Sequence, residues 1–147
     1  MSIFKDDVLV GKVAFVTGGG SGICLEITRT FMQHGCDTVI VSRSQERLDA
    51  AAEALEAETK RRCIPIAADV RDMEAVEAAL DKALQEMGQI DIVVNGAAGN
   101  FLCPAAKLSS NAFKTVLEID TLGTYNVSKA AFEKALKHSG GSILNIS

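Results

Sequence analysis

Residues 17–23 read Thr-Gly-Gly-Gly-Ser-Gly-Ile, a composition that can seat a pyrophosphate. Gly18, Gly19, Gly20 and Gly22 let the backbone turn tightly and approach a ligand closely, with Ser21 and Ile23 completing the turn. Phosphate charge would then lie against the N–H groups at a helix N-terminus. A glycine-rich turn can also be a plain connection, so its weight depends on what flanks it.

Four more sets of residues carry chemistry. Ser42-Arg43-Ser44, with Arg47 close behind, stands where many dinucleotide sites place an acidic residue against the ribose hydroxyls. A guanidinium there pairs with a 2′-phosphate that a carboxylate would repel, which points to NADP(H). The alternative is a solvated loop arginine. Asp69-Val70 offers a carboxylate that could accept from an adenine amino group, cap the helix that follows, or do both. Asn95-Gly96-Ala97-Ala98-Gly99 supplies small residues where backbone could pass beneath a cofactor; an ordinary turn is the plainer reading. Asp120 lies four residues after Val116 and three after Leu117. Helical spacing puts it on the apolar stripe of Phe113, so it either faces a cavity, finds a partner, or is solvated beside a lysine.

The elements that must position these residues alternate strictly. Apolar runs predict strands at 13–17, 38–41, 63–67, 90–94 and 142–146, and helices are expected over 21–34, 45–60, 71–87 and 110–137. On the first helix Ile23, Ile27 and Phe31 form the expected apolar face, and Gly35 stands where a C-terminal cap belongs. Crossovers of this length force parallel neighbours, so the fold class is α/β: a Rossmann-type doubly wound parallel sheet, forming one dinucleotide-binding domain over 1–147. Ligands of such sheets bind beyond the carboxyl ends of the strands, where each of the loops above falls.

The 147 residues are 48% hydrophobic and 23% charged with a formal net charge of −4, which excludes the basic footprint of nucleic-acid binding. No apolar run approaches the roughly 20 residues needed to span a bilayer, and the start, MSIFKDDVLVGK, does not read as a signal peptide. Cys24, Cys36, Cys63 and Cys103 lack metal or disulfide spacing and are expected to be buried and free; no metal site is expected.

Thr17-Gly-x-x-x-Gly22-Ile23, Asp69-Val70, Asn95-x-Ala97-x-Gly99 and a polar residue at 120 together resemble the short-chain dehydrogenase/reductase family over about 11–147. Two residues depart from its pattern. Cys24 replaces the third glycine, adding bulk where helix and strand pack closely, and Asp120 replaces the usual helix asparagine. The segments from Asn95 to Pro104 and from Ser110 to Asp120 resemble the 2,4-dienoyl-CoA reductase branch, the aspartate being typical of its peroxisomal members.

That resemblance implies NADPH-dependent reduction of 2,4-dienoyl-CoA to trans-3-enoyl-CoA in unsaturated fatty-acid β-oxidation, in the peroxisome, by an enzyme expected to be a homo-oligomer when intact. It implies that Asp120 is the acid-side catalytic residue, working with a lysine to position a proton-delivering water. Gly18 to Ile23, Arg43, Ser44, Arg47, Asp69, Val70, Asn95, Ala97 and Gly99 correspond to cofactor contacts. Arg43, Arg71, Phe101, Ser109, Ser110 and Asn111 correspond to positions that hold the fatty acyl-CoA. The family's Tyr-x-x-x-Lys segment, or the lysine alone, would follow Ser147, and Ser147 is not the family's serine. The chain is therefore expected to be an incomplete domain that binds NADP(H) weakly and turns nothing over, with an exposed sheet edge and an uncovered helix face. Tyr125 and Lys129 imitate Tyr-x-x-x-Lys in the wrong helix, which makes Tyr125 a packing or interface residue. The competing readings are a reductase of a ketone or 3-oxoacyl thioester, and an inactive NADP-binding fragment.

Overall fold

The structure is a computed structural model that describes residues 3–147; the first two residues of the leading segment lie outside the described ones. Five strands, β1 (Val13–Thr17), β2 (Asp37–Ser42), β3 (Cys63–Ala67), β4 (Ile92–Asn95) and β5 (Ser142–Asn145), form one sheet. Their order is β3-β2-β1-β4-β5 and every pairing is parallel. The chain winds outward one way from β1, then crosses back to lay β4 on its other side. The strand order thus reverses between β1 and β4, which is where ligands of open α/β sheets bind.

Both faces of the sheet are covered over β1, β2 and β4, which explains strands that read as unbroken apolar runs. Side chains alternate across β1. Ala14 and Val16 meet Cys24 and Cys36, while Phe15 joins Val39, Val41 and Val93 on the opposite face. Helices α1 (Gly22–Gln33) and α2 (Gln45–Thr59) take the first face, where Met32, Leu48 and Leu55 close over Ile40. Helix α3 (Met73–Met87) takes the other through Val76, Leu80 and Ala83.

The last crossover is one continuous helix over 110–139, made of α4 (Ser110–Leu117), α5 (Gly123–Ala131) and α6 (Lys137–Ser139). Two wide π-type turns, Glu118–Leu122 and Phe132–Leu136, join the pieces. Each such turn advances the helical face relative to a regular spacing. Val127, Ala130 and Ala131 bury against the α3 cluster, whereas Phe113, Leu117, Tyr125 and Phe132 remain exposed. On β5 all four residues are exposed.

Three expectations need correction. On α1 the most buried residues are Cys24, Thr28 and Met32, with Ile27 and Phe31 of the expected stripe partly buried beside them, but Ile23 is 69% exposed. Thr28 fits this face because its hydroxyl donates to the Cys24 carbonyl at 2.8 Å. Asp69 does not cap α3. That role falls to Asp72, whose carboxylate accepts from the N–H groups of Glu74 and Ala75. Cys103 is exposed, while Cys24, Cys36 and Cys63 are buried and all four are free thiols. Burial pushes the Cys36 thiol up to about 12 and that of Cys63 up to about 11, so these two are inert packing residues.

Candidate functional site

At the β1/β4 reversal a cleft of about 690 Å³ opens at the carboxyl ends of the strands. Every strand-end loop contributes to it: Gly18 and Ser21 after β1, Arg43 after β2, Asp69 after β3, Ala97 after β4 and Ser147 after β5. Asp120 and Thr124 reach it from the last crossover helix.

The floor is set by backbone proximity. Gly18 has φ +72°, donates to the Val41 carbonyl at 2.7 Å, and a Cβ there would stand 2.5 Å from the Gly96 carbonyl oxygen. Glycine is required on both grounds. Thr17, buried at the end of β1, fastens the two loops together. Its Oγ1 accepts from Gly96 N–H at 3.1 Å and Ala97 N–H at 3.2 Å, and donates to the Val94 carbonyl. Gly19 and Gly20 are buried away from the cleft: a Cβ on the first would strike Ile40, and on the second would crowd Leu48.

The N-terminus of α1 opens toward this floor. Among the described residues its cap residue Ser21 makes no side-chain cap hydrogen bond, and its first turn holds no acidic residue. The contrast is with α2 and α3. Ser44 accepts from Arg47 N–H and Asp72 from Glu74 and Ala75, with Glu46 and Glu74 in the respective first turns. Two helix starts are thus satisfied internally, and α1 keeps its dipole and N–H groups for an anion.

Asp69 and Arg71 form a bidentate ion pair. Nε of Arg71 lies 3.0 and 3.1 Å from the two carboxylate oxygens, and an NH2 nitrogen lies 2.6 Å from Oδ2. These bonds hold the Asp69 carboxyl below its ordinary value, with help from Arg71 N–H and from Arg43 nearby. Arg43 itself is exposed on the rim. Asn126, which the sequence reading passed over, is buried in α5 and donates to the carbonyls of Val70 (3.0 Å) and Arg71 (3.3 Å). A polar residue among Val127, Ala130 and Ala131 was its only sequence signal. Gly123 permits the approach, since a Cβ there would overlap Val70.

Asp120 sits inside the first π-type turn. Its Oδ1 accepts from Gly99 N–H at 2.8 Å, and no other described group bonds Oδ2. Of the surroundings that its spacing leaves open, the structure shows the cavity and a partner: Asp120 is exposed to the cleft and bonded by Gly99 N–H, while Ile119 is the buried residue, packed against Gly99. Phe113 and Leu117 of the same stripe are exposed as well.

Of the expected residues, Gly18, Ser21, Ile23, Arg43, Asp69, Val70, Ala97 and Asp120 line the cleft. Gly22, with φ +58°, opens α1 behind them. Asn95 lies beneath, its Nδ2 donating to Ser128 Oγ and Asn145 Oδ1. Gly99 bonds Asp120, and Ser44 and Arg47 belong to the α2 cap. Phe101, Ser110 and Asn111 are exposed along the approach to α4, whose first turn Ser109 caps through Ala112 N–H. Tyr125 is 58% exposed and outside the cleft. Among the described residues no helix is long and apolar enough to cross a membrane, and no cluster of metal-ligating side chains is present.

Comparison with known proteins agrees with this geometry. The chain is 59% identical over 144 residues to the peroxisomal 2,4-dienoyl-CoA reductase, (3E)-enoyl-CoA-producing, of Rattus norvegicus, covering 98% of this chain and 49% of the relative. It spans about half the length of the curated relatives it matches. Among solved structures it is similar to a citronellol catabolism dehydrogenase of Pseudomonas aeruginosa, with TM-score 0.90 and 33% identity over 98% of this chain and 59% of that one. It is also similar to an alcohol dehydrogenase of Thermococcus sibiricus solved with 5-hydroxy-NADP, with TM-score 0.84 and 32% identity over 91% and 57% of the two chains. The sequence model of the short chain dehydrogenase family matches residues 12–147, and with the parallel sheet and glycine-floored cleft it shows that the chain belongs to that family.

Proposed function

We propose that this chain forms the nucleotide-binding part of an NADPH-dependent 2,4-dienoyl-CoA reductase that yields the trans-3-enoyl-CoA. The observation that carries the reading is the place of Asp120: its carboxylate, held by Gly99, shares one cleft with the Gly18 loop, Arg43 and Asp69. The names of the relatives support the substrate class and a peroxisomal location.

The residues present fit NADP(H). A floor that excludes any Cβ at Gly18 and an uncapped α1 N-terminus suit the pyrophosphate. Asp69, kept ionised by Arg71, can accept from the adenine amino group, and the exposed Arg43 can pair with a 2′-phosphate. When bound, the nicotinamide supplies hydride to the far carbon of the conjugated diene.

The chain's own part lies in binding and in the proton. Asp120 keeps one oxygen for a water that delivers a proton to the carbon beside the thioester carbonyl. Phe101, Ser109, Ser110 and Asn111 flank the approach along which the acyl-CoA would lie, and Arg71 reaches its phosphates only by sharing its bonds to Asp69. Among the described residues lining the cleft there is no lysine or tyrosine. The exposed Phe113, Leu117, Tyr125 and Phe132 are the face through which the intact enzyme assembles with its own copies.

The test is NADPH oxidation by the full-length enzyme carrying these residues. Turnover with a 2,4-dienoyl-CoA, giving the 3-enoyl product, is expected; turnover with ketones or 3-oxoacyl thioesters but not with the dienoyl thioester would overturn the reading.

A further inference from the structure

Helix α1 meets β4 through an exchange of volumes that no single residue reveals. The third glycine of a dinucleotide turn serves close helix–strand packing. Here that position is Cys24, 5% exposed, with its thiol against the backbone that leaves β4. The facing residue is Gly96. A Cβ placed on it would overlap Cys24 Sγ and stand 3.1 Å from the Thr17 carbonyl oxygen, but only 3.5 Å from Cys24 Cβ. The sulfur is therefore the main obstacle to a side chain at 96, and the Thr17 carbonyl oxygen a lesser one. Gly96 in turn sets Gly18, whose own Cβ position lies 2.5 Å from the Gly96 carbonyl oxygen. Cys24, Gly96 and Gly18 all line the cleft.

We infer that Cys24 and Gly96 are a size-matched pair that positions the nucleotide floor, the space ordinarily left on the helix being left here on the strand end. The inference rests on the dinucleotide reading of the cleft. Cys24 is a positioning residue: its thiol, pushed up in pKa by burial, acts through the spacing of Gly96 and Gly18.

A four-protein cycle tests this, comparing the parent with Cys24→Ala, Gly96→Ala and the double variant by thermal unfolding and by NADPH titration well below the unfolding midpoint. Alanine at 24 removes the sulfur while keeping helix propensity. Gly96→Ala alone is expected to lower the midpoint and weaken NADPH binding by about tenfold, because overpacking displaces backbone. In the Cys24→Ala background the same change should cost clearly less, about threefold at most, since only the 3.1 Å approach to the Thr17 carbonyl oxygen then remains tighter than ordinary contact. Equal cost of Gly96→Ala in both backgrounds would overturn the pairing. A lowered midpoint with unchanged NADPH affinity would overturn the positioning role and leave plain packing. Failure of the parent itself to bind NADPH would instead overturn the dinucleotide reading, while the unfolding cycle would still report on the pair.

Discussion

The Asp120 carboxylate accepts a hydrogen bond from the Gly99 N–H at 2.8 Å, tying a π-type turn in the last crossover helix to the loop that leaves β4. One oxygen is thereby spent on position, and the other is left to the cleft. Asp120→Asn keeps an acceptor for Gly99 and loses the charge. The expected result is an unchanged unfolding midpoint with dienoyl-CoA turnover in the full-length enzyme down about 100-fold, the lower end for a lost acid–base group. A ketone reductase built on this site would tolerate the change.

Arg43 stands on the rim beside Asp69 and is the group proposed to read the 2′-phosphate. Arg43→Ala should weaken NADPH binding by about 10- to 100-fold, the worth of a charge-assisted bond, and leave NADH binding nearly unchanged. Parallel titrations with the two nucleotides measure this. An equal loss for both would assign Arg43 to the adenine or the pyrophosphate instead.

The Arg71 bonds lower the pKa of Asp69 from its usual 3.8. Folding therefore favours the deprotonated form, and the pair's contribution is complete above the unfolded pKa and fades as pH falls through the lower folded value. Asp69→Asn should lower the unfolding midpoint at pH 7, and the gap to the parent should close below about pH 4. A gap that persists at pH 2 would mean that the side chain acts through shape rather than charge.

Asn126 is the buried bolt between α5 and the loop after β3. Asn126→Ala leaves the Val70 and Arg71 carbonyls without this donor, at an expected cost of about 1–3 kcal/mol in chemical denaturation. Since the same loop carries Asp69, nucleotide affinity should fall with it, whereas a conservative exchange at exposed Lys129 should move neither quantity.

Much of this was legible in the residues. Strands buried on both faces advertise themselves as apolar runs, and the loops at Gly18, Arg43, Asp69 and Ala97 follow from the alternation of elements. The losses have physical causes. On α1, Ile27 and Phe31 pack as read, Ile23 turns to the cleft, and Thr28 joins the buried side because its hydroxyl is satisfied on the Cys24 carbonyl. The surroundings of Asp120 stay open in the sequence because its cavity and its Gly99 partner come together only through the fold. Of the two roles open to Asp69, the helix cap goes to Asp72, three residues on, which has the same chemistry and better placement. The fit of Cys24 against Gly96 joins residues 72 apart in sequence and needs coordinates.

The most direct measurement is a fluorescence titration of the protein with NADPH and with NADH, repeated on Gly18→Ala. Gly18 combines a left-handed backbone with a floor that admits no Cβ. The expected result is saturable binding that favours NADPH by at least about tenfold and is lost in the variant. Absence of saturation, equal affinity for the two nucleotides, or binding undisturbed by Gly18→Ala would contradict an NADPH site on this floor.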